Sequence, residues 1–431
     1  MRTTVDIVDL DDEGLGRAEH EGRALLVAGA LPGDRVRVEV EHTSPHGNKS
    51  WGRLLALELA SPDRVQPVCP ATGRCGGCPL GALAYPAQLA WKEARVARLV
   101  GPSLPMFASP RPVGYRNHAK LVFGRTGGRA RDRLALGGYA PRSHELVDLA
   151  GCRVVEPVLE EVRAALLDAL LARNVDPMIV PHVVLRSNHA REVLVTLVGR
   201  VPDELEALRE AHPAIVGVCA NDGPRGNAIF GAITRTLWGR GELDERIGDV
   251  TLHVSPTAFF QINREVAAAL YAAIDAWIPA GARVADVYSG IGGIALTLAH
   301  GREVVGVEVN EAAVADATRA ARGRARFIAD DAARGLTTLG RVDAVVINPP
   351  RKGVERSVID AIRAASPERI AYVSCNPVSL ARDLALLPGY VVESTRAYDM
   401  HPQTAHVETL ALLRADKVID GQSPSTFTRR G

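Results

Sequence analysis

Polar and apolar residues alternate strictly through Asp34-Arg-Val-Arg-Val-Glu-Val-Glu41, the pattern of a strand with one buried face. Ahead of it, ALLVAGALPGD reads as an apolar strand running into a Pro-Gly turn. A further strand is predicted from Trp51 to Leu59, and SPDRVQP closes the unit. Several short strands within residues 1–60 predict a small barrel of the OB-like kind, a scaffold often used on nucleic acid. Residues 61–260 mix helical and strand patterns, with REVLVTLVG as one clear strand. Across 261–414 the rhythm becomes strand–helix–strand, as in a doubly wound α/β domain. The end of the chain, 415–431, is polar and rich in Ser, Pro and Gly, so a disordered tail is expected there. No internal repeat is present.

Composition narrows the class. Of 431 residues, 47% are hydrophobic and 23% charged, as in globular proteins, and no apolar run approaches the ~18 residues a membrane span needs. The first residues, MRTTVDIVDLDDEG, carry early acids and alternate, unlike a signal or transit peptide, so a cytoplasmic protein is expected, with no membrane partner. Nothing in the sequence points to an obligate protein partner. Lys and Arg number 51 against 50 Asp and Glu, so a nucleic-acid partner has to be sought locally. It is visible between Arg111 and Arg142. There Arg111, Arg116, Lys120, Arg125, Arg129, Arg131, Arg133 and Arg142 face only Asp132, with Tyr115, Phe123 and Tyr139 interleaved. Such a stretch suits phosphate contacts and stacking on unpaired bases, or else it is a solvated basic face.

Three cysteines fall in CPATGRCGGC: Cys69, Cys75 and Cys78, spaced C-x5-C-x2-C, with Gly76, Gly77 and Pro79 letting the backbone turn. Cys152 follows at a distance. Four thiolates suit an iron–sulfur cluster or a structural zinc, and the C-x5-C spacing, wider than a zinc knuckle, favours [4Fe–4S]. A disulfide framework is not expected in a long chain of this class.

In the last third, RVADVYSGIGGIALTLA is a strand, a glycine-rich turn and a helix. There Gly290, Gly292 and Gly293 let a ligand approach the backbone. The next strand ends at Glu308, placed to accept from ribose hydroxyls. A nicotinamide site has these features too. The turn, however, lacks the third glycine of that fingerprint. In addition, VVINPPRKG sets a polar residue and two prolines at a strand's carboxyl edge, which favours S-adenosylmethionine. The strand RIAYVSCNP brings Cys375 to the same edge, and HPQTAHVETLALL puts Glu408 at a strand start, a nucleophile and a base if they meet.

Taken in order, FFQIN, DVYSGIGG, GVE, NPPRKG, SCNP and HVETL closely resemble the RNA uracil-5-methyltransferase family. The cysteine spacing resembles its iron–sulfur members, and EGLGRAEHEGRALLVAGALPGDRV resembles that family's TRAM domain. The resemblance implies Cys375 as nucleophile and Glu408 as base. It implies cofactor contacts from Gln261, Tyr288, Gly290, Gly293, Glu308, Asp331 and Asn348, and cluster ligands Cys69, Cys75, Cys78 and Cys152. It further implies transfer of a methyl group from S-adenosylmethionine to uridine carbon 5, with 23S ribosomal RNA the expected substrate. Uridine 54 of transfer RNA, or a non-catalytic iron–sulfur RNA-binding role, stand as alternatives. Cys219 matches no motif and is expected in the core. Two positions depart from the family: Asn348 stands where Asp is usual, and Tyr288-Ser289 where an aromatic residue and Cys are usual.

Overall fold

A computed structural model describes residues 1–127, 133–223 and 229–416, so most of the expected tail, with Arg129 and Arg131, lies outside the described residues. The first six strands are β1 (Arg2–Asp6), β2 (Asp9–Leu10), β3 (Gly16–His20), β4 (Arg23–Val27), β5 (Arg35–Thr43) and β6 (Lys49–Leu59). They form one sheet in the order β1-β5-β6-β4-β3-β2. The alternation predicted for 34–41 is realised in β5, whose Val36 and Val38 are fully buried beside Val5, Leu25 and Val27 while Arg35 and Arg37 face out. The sheet curls so that β1 touches β3.

The chain then passes the cysteine loop and enters helix α1 (Tyr85–Val100), followed by strand β7 (Leu104–Phe107). A second sheet is built from β8 (His118–Arg125), β9 (Leu134–Tyr139), β10 (Leu146–Asp148), β11 (His182–Ser187), β12 (Val193–Val198), β13 (Ile215–Asn221) and β14 (Thr234–Gly239). Helix α2 (Pro157–Ala172) packs Val158, Val162 and Leu166 against one of its faces, and the hairpin of β15 (Leu243–Ile247) and β16 (Val250–Val254) follows. Cys219 lies here, fully buried with Leu194 and Leu243, so the core placement holds.

The C-terminal part contains α3 (Arg264–Trp277), β17 (Arg283–Val287), α4 (Gly293–Leu298), β18 (Glu303–Glu308), α5 (Glu311–Ala321), β19 (Arg326–Ala329) and α6 (Ala332–Leu339). It continues through β20 (Ala344–Ile347), α7 (Arg356–Ala365), β21 (Arg369–Ser374), α8 (Pro377–Leu384), β22 (Tyr390–Tyr398) and β23 (Glu408–Ala415). The sheet order is β19-β18-β17-β20-β21-β23-β22-β7, with β23 antiparallel to both its neighbours. Two apolar clusters flank it, one under α3, α4 and α5 and the other under α6 and α7, as a doubly wound sheet requires. The strand order reverses between β17 and β20, and a ligand crevice belongs outside the carboxyl ends at such a point. Strand β7 comes from the middle of the sequence yet forms the edge of this sheet, parallel to β22.

Candidate active site and cysteine cavity

Strand β17 ends at Val287, and the turn to α4 leaves the usual backbone regions. Tyr288 has φ 66°, costly for a residue with a side chain, and Gly292 has φ 84°. The amides of Tyr288 and Ser289 both donate to the Val307 carbonyl, at 2.9 and 3.0 Å, which holds the strained turn against β18. Glu308, at the carboxyl end of β18, braces it further. Its Oε2 accepts from the Gly290 amide at 3.0 Å and its Oε1 from the Asn310 amide at 2.9 Å. A Cβ at Gly293 would stand 3.0 Å from Tyr271 Oη, so the first turn of α4 lies tight against α3. A Cβ at Gly290 would meet nothing within 4 Å, so the turn is open on that side.

Asp286 was not singled out in the sequence. It is fully buried in β17, its Oδ2 accepts from the Ala295 amide at 2.9 Å, and Oδ1 has no partner among the described residues. Burial pushes its carboxyl up to about 7. The signal was available: an acid inside an otherwise apolar parallel strand has to have a reason.

Asn348 directly follows β20 and donates its amide to the Val287 carbonyl at 3.4 Å, so it sits beside the turn, half-buried. Gln261 is buried, and its carbonyl accepts from Asn117 Nδ2 at 3.0 Å, which ties the segment before α3 to the central sheet. Asp331 is exposed, and its carboxylate caps α6, accepting from Ala333 and Arg334 amides at 3.0 and 3.2 Å.

Cys375 lies one residue beyond β21. Because Ser374 pairs with Thr409 in the antiparallel β21–β23 ladder, the next step of the register sets Cys375 opposite Glu408. Glu408 is 3% exposed, and burial pushes its carboxyl up to about 8. The Cys375 thiol is pushed up to about 11, by burial first and by Glu408 second, and Arg351 opposes the shift. Arg351 comes from the NPPRKG segment. Its carbonyl accepts from Asn376 Nδ2 at 3.1 Å, and its guanidinium Nη2 lies 3.2 Å from His406 Nδ1. Burial also holds His406 down near 4 and His401 near 3, so both rings are neutral at pH 7. The result is a thiol, a carboxyl group and a guanidinium gathered where β21 ends and β23 begins.

The loop before Glu408 is anchored from a distance. Lys92 of α1, completely buried, donates to Asp399 Oδ1 at 2.6 Å and to the His401 carbonyl at 3.1 Å. Tyr85 donates to Asp399 Oδ2 at 2.8 Å, and Gln88 and Gln403 bond each other through both side chain and backbone. The Leu80 amide, two residues past Cys78, donates to the Gln403 carbonyl at 3.0 Å. None of this was legible in the sequence, where a lysine in a helix reads as solvated.

Cys69, Cys75, Cys78 and Cys152 line one cavity of about 150 Å³, with Arg116, Leu121 and Leu159 among its other walls. All four are free thiols. Cys78 is pushed up to about 12, by burial first and then by the charges of Cys152, Cys75 and Cys69, while Arg116 opposes the shift. Burial raises Cys152, and hydrogen bonds from the Val155 and Val154 amides to its sulfur oppose this. The Gly77 amide donates to Cys75 Sγ at 3.3 Å. Among the described residues no three His, Cys, Asp or Glu side chains stand close enough to grip a single metal ion.

The basic stretch is less of a surface than expected. Tyr115 and Phe123 are 1% and 2% exposed, Phe123 turned into the core by β8 and Tyr115 packed with Val154 and Ile262 in the loop before it, so they are not stacking platforms. Tyr139 alone of the three is exposed, packed edge-on against His144. Arg111 is paired with Glu265 and Arg133 with Asp148, while Arg142 lies over the Trp51 ring of the N-terminal sheet.

Known proteins resemble this chain over most of its length. Residues 336–416, which hold Asn348, Cys375 and Glu408, match the family model described as tRNA (Uracil-5-)-methyltransferase. An uncharacterized RNA methyltransferase of Thermosynechococcus vestitus is 38% identical, over 95% of this chain and 96% of the relative. One from Geobacter sulfurreducens is 36% identical, over 94% and 88%. The crystal structure of Pyrococcus abyssi tRNA (uracil-54, C5)-methyltransferase in complex with S-adenosyl-L-homocysteine superposes with a TM-score of 0.79. It is 27% identical and covers 96% of this chain and all of that one. With likeness at this identity running nearly end to end, the chain belongs to the RNA uracil-5-methyltransferase family of enzymes.

Proposed function

We propose that this protein methylates carbon 5 of a uridine in RNA through a covalent adduct on Cys375, with Glu408 as the base. The observation that carries the proposal is the placement of the Cys375 thiol opposite the buried Glu408 carboxyl at the mouth of the sheet. Carbon 5 of uracil is a weak nucleophile. Addition of the Cys375 thiolate to carbon 6 breaks the 5,6 double bond and moves its electron pair onto carbon 5 and the carbonyl at carbon 4. S-adenosylmethionine, when bound, supplies the electrophilic methyl group that carbon 5 takes up. Glu408 as carboxylate then removes the carbon 5 proton, the double bond re-forms, and the thiolate leaves from carbon 6. Arg351 favours the thiolate form. A stacked base hides carbon 5, so the uridine has to be flipped out or unpaired.

The cofactor fits the crevice by its donors: an open glycine turn, a carboxylate at the neighbouring strand end and a polar Asn348 beside them. Tyr288, Gly290, Gly293, Glu308 and Asn348 converge on that turn, and Gln261 stands on the segment before α3. Asp331 is the least free of the nominated contacts, since its carboxylate caps α6.

The second cofactor we propose is a [4Fe–4S] cluster on Cys69, Cys75, Cys78 and Cys152. Four thiols around one cavity, with amides directed at two of the sulfurs, match its ligand chemistry. No step of the methylation passes through it. Its ligand loop is tied to the Glu408 loop through Leu80 and Gln403, which makes its role structural. The N-terminal curled sheet is proposed as a TRAM-like RNA-binding domain.

The proposed substrate is a uridine of 23S ribosomal RNA. Transfer RNA is a second reading, favoured by the end-to-end likeness to an enzyme whose own name specifies tRNA uridine 54. Mapping 5-methyluridine in 23S and transfer RNA from a deletion strain separates the two, and an unchanged pattern in both sinks the proposal.

A further inference from the structure

The central sheet carries positive charge where it meets the segment leading to Gln261. Strands β8 and β11 are antiparallel, with Arg186 opposite His118 and Val184 opposite Lys120, so Arg186, His118 and Lys120 share one face. The intervening Ala119, Leu121 and Leu185 point the other way, into the core. Arg186 is 4% exposed, yet only one of its nitrogens is engaged: Nη2 donates to the Ala258 carbonyl at 2.7 Å. Its Nε and Nη1, and the ring nitrogen Nε2 of His118, have no partner among the described residues. The acid that faces Arg186 is Glu245. Both Glu245 oxygens are taken, Oε2 by the Arg264 guanidinium and Oε1 by the His189 and Arg246 amides. Lys120 stands at the exposed rim, its ammonium 5.8 Å from the centre of the Phe230 ring. Buried guanidinium donors without an acceptor are costly, and here they share a face with a second cation. Their complement is an anion with several acceptor oxygens.

We infer that Arg186, His118 and Lys120 form a binding site for one phosphodiester of the RNA, next to the target uridine. This rests on the RNA reading above and refines it by naming where the backbone is gripped. The place follows from chain geometry: Arg186 is bonded to Ala258, three residues before Gln261 on the segment that enters the catalytic domain. Anchored there, a phosphate fixes the register of the RNA on the central sheet while leaving the base free to turn into the crevice.

The test is equilibrium binding of oligouridine to the full-length protein over a series of potassium chloride concentrations. Lys120→Gln and Arg186→Gln are each expected to weaken binding roughly three- to tenfold. Each should also flatten the slope of log affinity against log salt by about 0.7, the release of one counterion from a single strand. Because Arg186 is buried and its variant can fail to fold, Lys120→Gln, exposed at the rim, carries the test alone in that event. On an oligouridine with neutral methylphosphonate linkages, wild type and Lys120→Gln should bind alike. Unchanged affinity and slope in folded variants overturn the site, and so does a defect that persists on the neutral oligomer, which would place the contact on base or sugar. Methyl transfer to bulk RNA is measured in parallel. Transfer by wild type with unaltered slopes removes the phosphate site alone, whereas altered slopes without any transfer remove the methyltransferase reading and leave the site standing.

Discussion

Burial raises the pKa of both Cys375 and Cys78, but the charged neighbours of the two thiols differ. At Cys375 a single thiol meets, besides burial, a carboxyl group and a guanidinium that act on it in opposite directions. Around Cys78 the neighbours are other thiols, and each ionisation makes the next harder. A group of thiols that repel one another's charge needs a counter-charge that arrives from outside, which is what a metal centre supplies. A lone thiol between Arg351 and Glu408 needs none. The one arrangement suits reversible attack on carbon, and the other suits permanent ligation.

The largest expected effect tests the first half of that contrast. Cys375→Ala should still bind RNA and S-adenosylmethionine but lose methyl transfer by a factor on the order of 10⁴ or more. On a denaturing gel with labelled RNA it should give no slow-migrating adduct. A surviving adduct would move the nucleophile elsewhere. Glu408→Gln should fail at proton removal, with addition and methylation intact and the adduct accumulating on the same gel. Wild-type enzyme on 5-fluorouridine RNA should show the same band, since fluorine cannot leave as a proton does.

The other cysteines should respond through metal content. Protein purified anaerobically is expected to be brown with about four irons per chain. Cys78→Ser should lose iron and melt earlier, and zinc at one per chain in colourless protein would replace the cluster with an ion.

Acidity offers a subtler separation. On the proposed mechanism Glu408 acts only when ionised and Cys375 attacks only as thiolate, so kcat/KM should climb steeply as pH rises toward about 8 and less steeply from there toward about 11. Stability moves the opposite way. The folded carboxyl keeps a proton that the unfolded one releases near its ordinary value, so folding loses stability as pH rises from there toward 8. Glu408→Gln removes that cost. Its melting temperature should exceed the wild type's at pH 8, with the gap closing near pH 5; a pH-independent gap would mean Glu408 titrates normally. The smallest effect concerns Asn348. Asn348→Asp restores the residue usual in the family and should leave turnover unchanged or raise it, measured on folded protein.

Much of the catalytic half was legible because its chemistry sits at strand ends. RVADV, RIAYVS and HVETL are apolar enough to be read as strands, and the residues just past or at their ends stand out. What periodicity does not give is which strands are neighbours, so the meeting of Cys375 and Glu408 needed the resemblance to a known family. Strand β7 was missed because it is four residues long and contains a proline, features that argue against a strand. Tyr115 and Phe123 were misjudged because arginines on either side made a polar context, while alternation along β8 turned the Phe123 ring inward and distant Val154 and Ile262 covered Tyr115. Lys92 and Asp399 are far apart in sequence, and nothing local marks either as half of a buried pair.

Strand β7 also bears on how the chain is made. Leu104 has to wait for Arg396, and Lys92 for Asp399, before either finds its partner. During synthesis the early segment therefore emerges with a charge and an open strand edge that only the last part of the chain can cover. Pairings this remote are slow to close, and incomplete chains expose what chaperones and proteases recognise. An mRNA truncated before the codon for Arg396 would yield a protein lacking Cys375's neighbour Glu408 and also unable to seal its own edge. The cell would then meet it as an unfolded protein rather than as a folded but inactive binder of RNA.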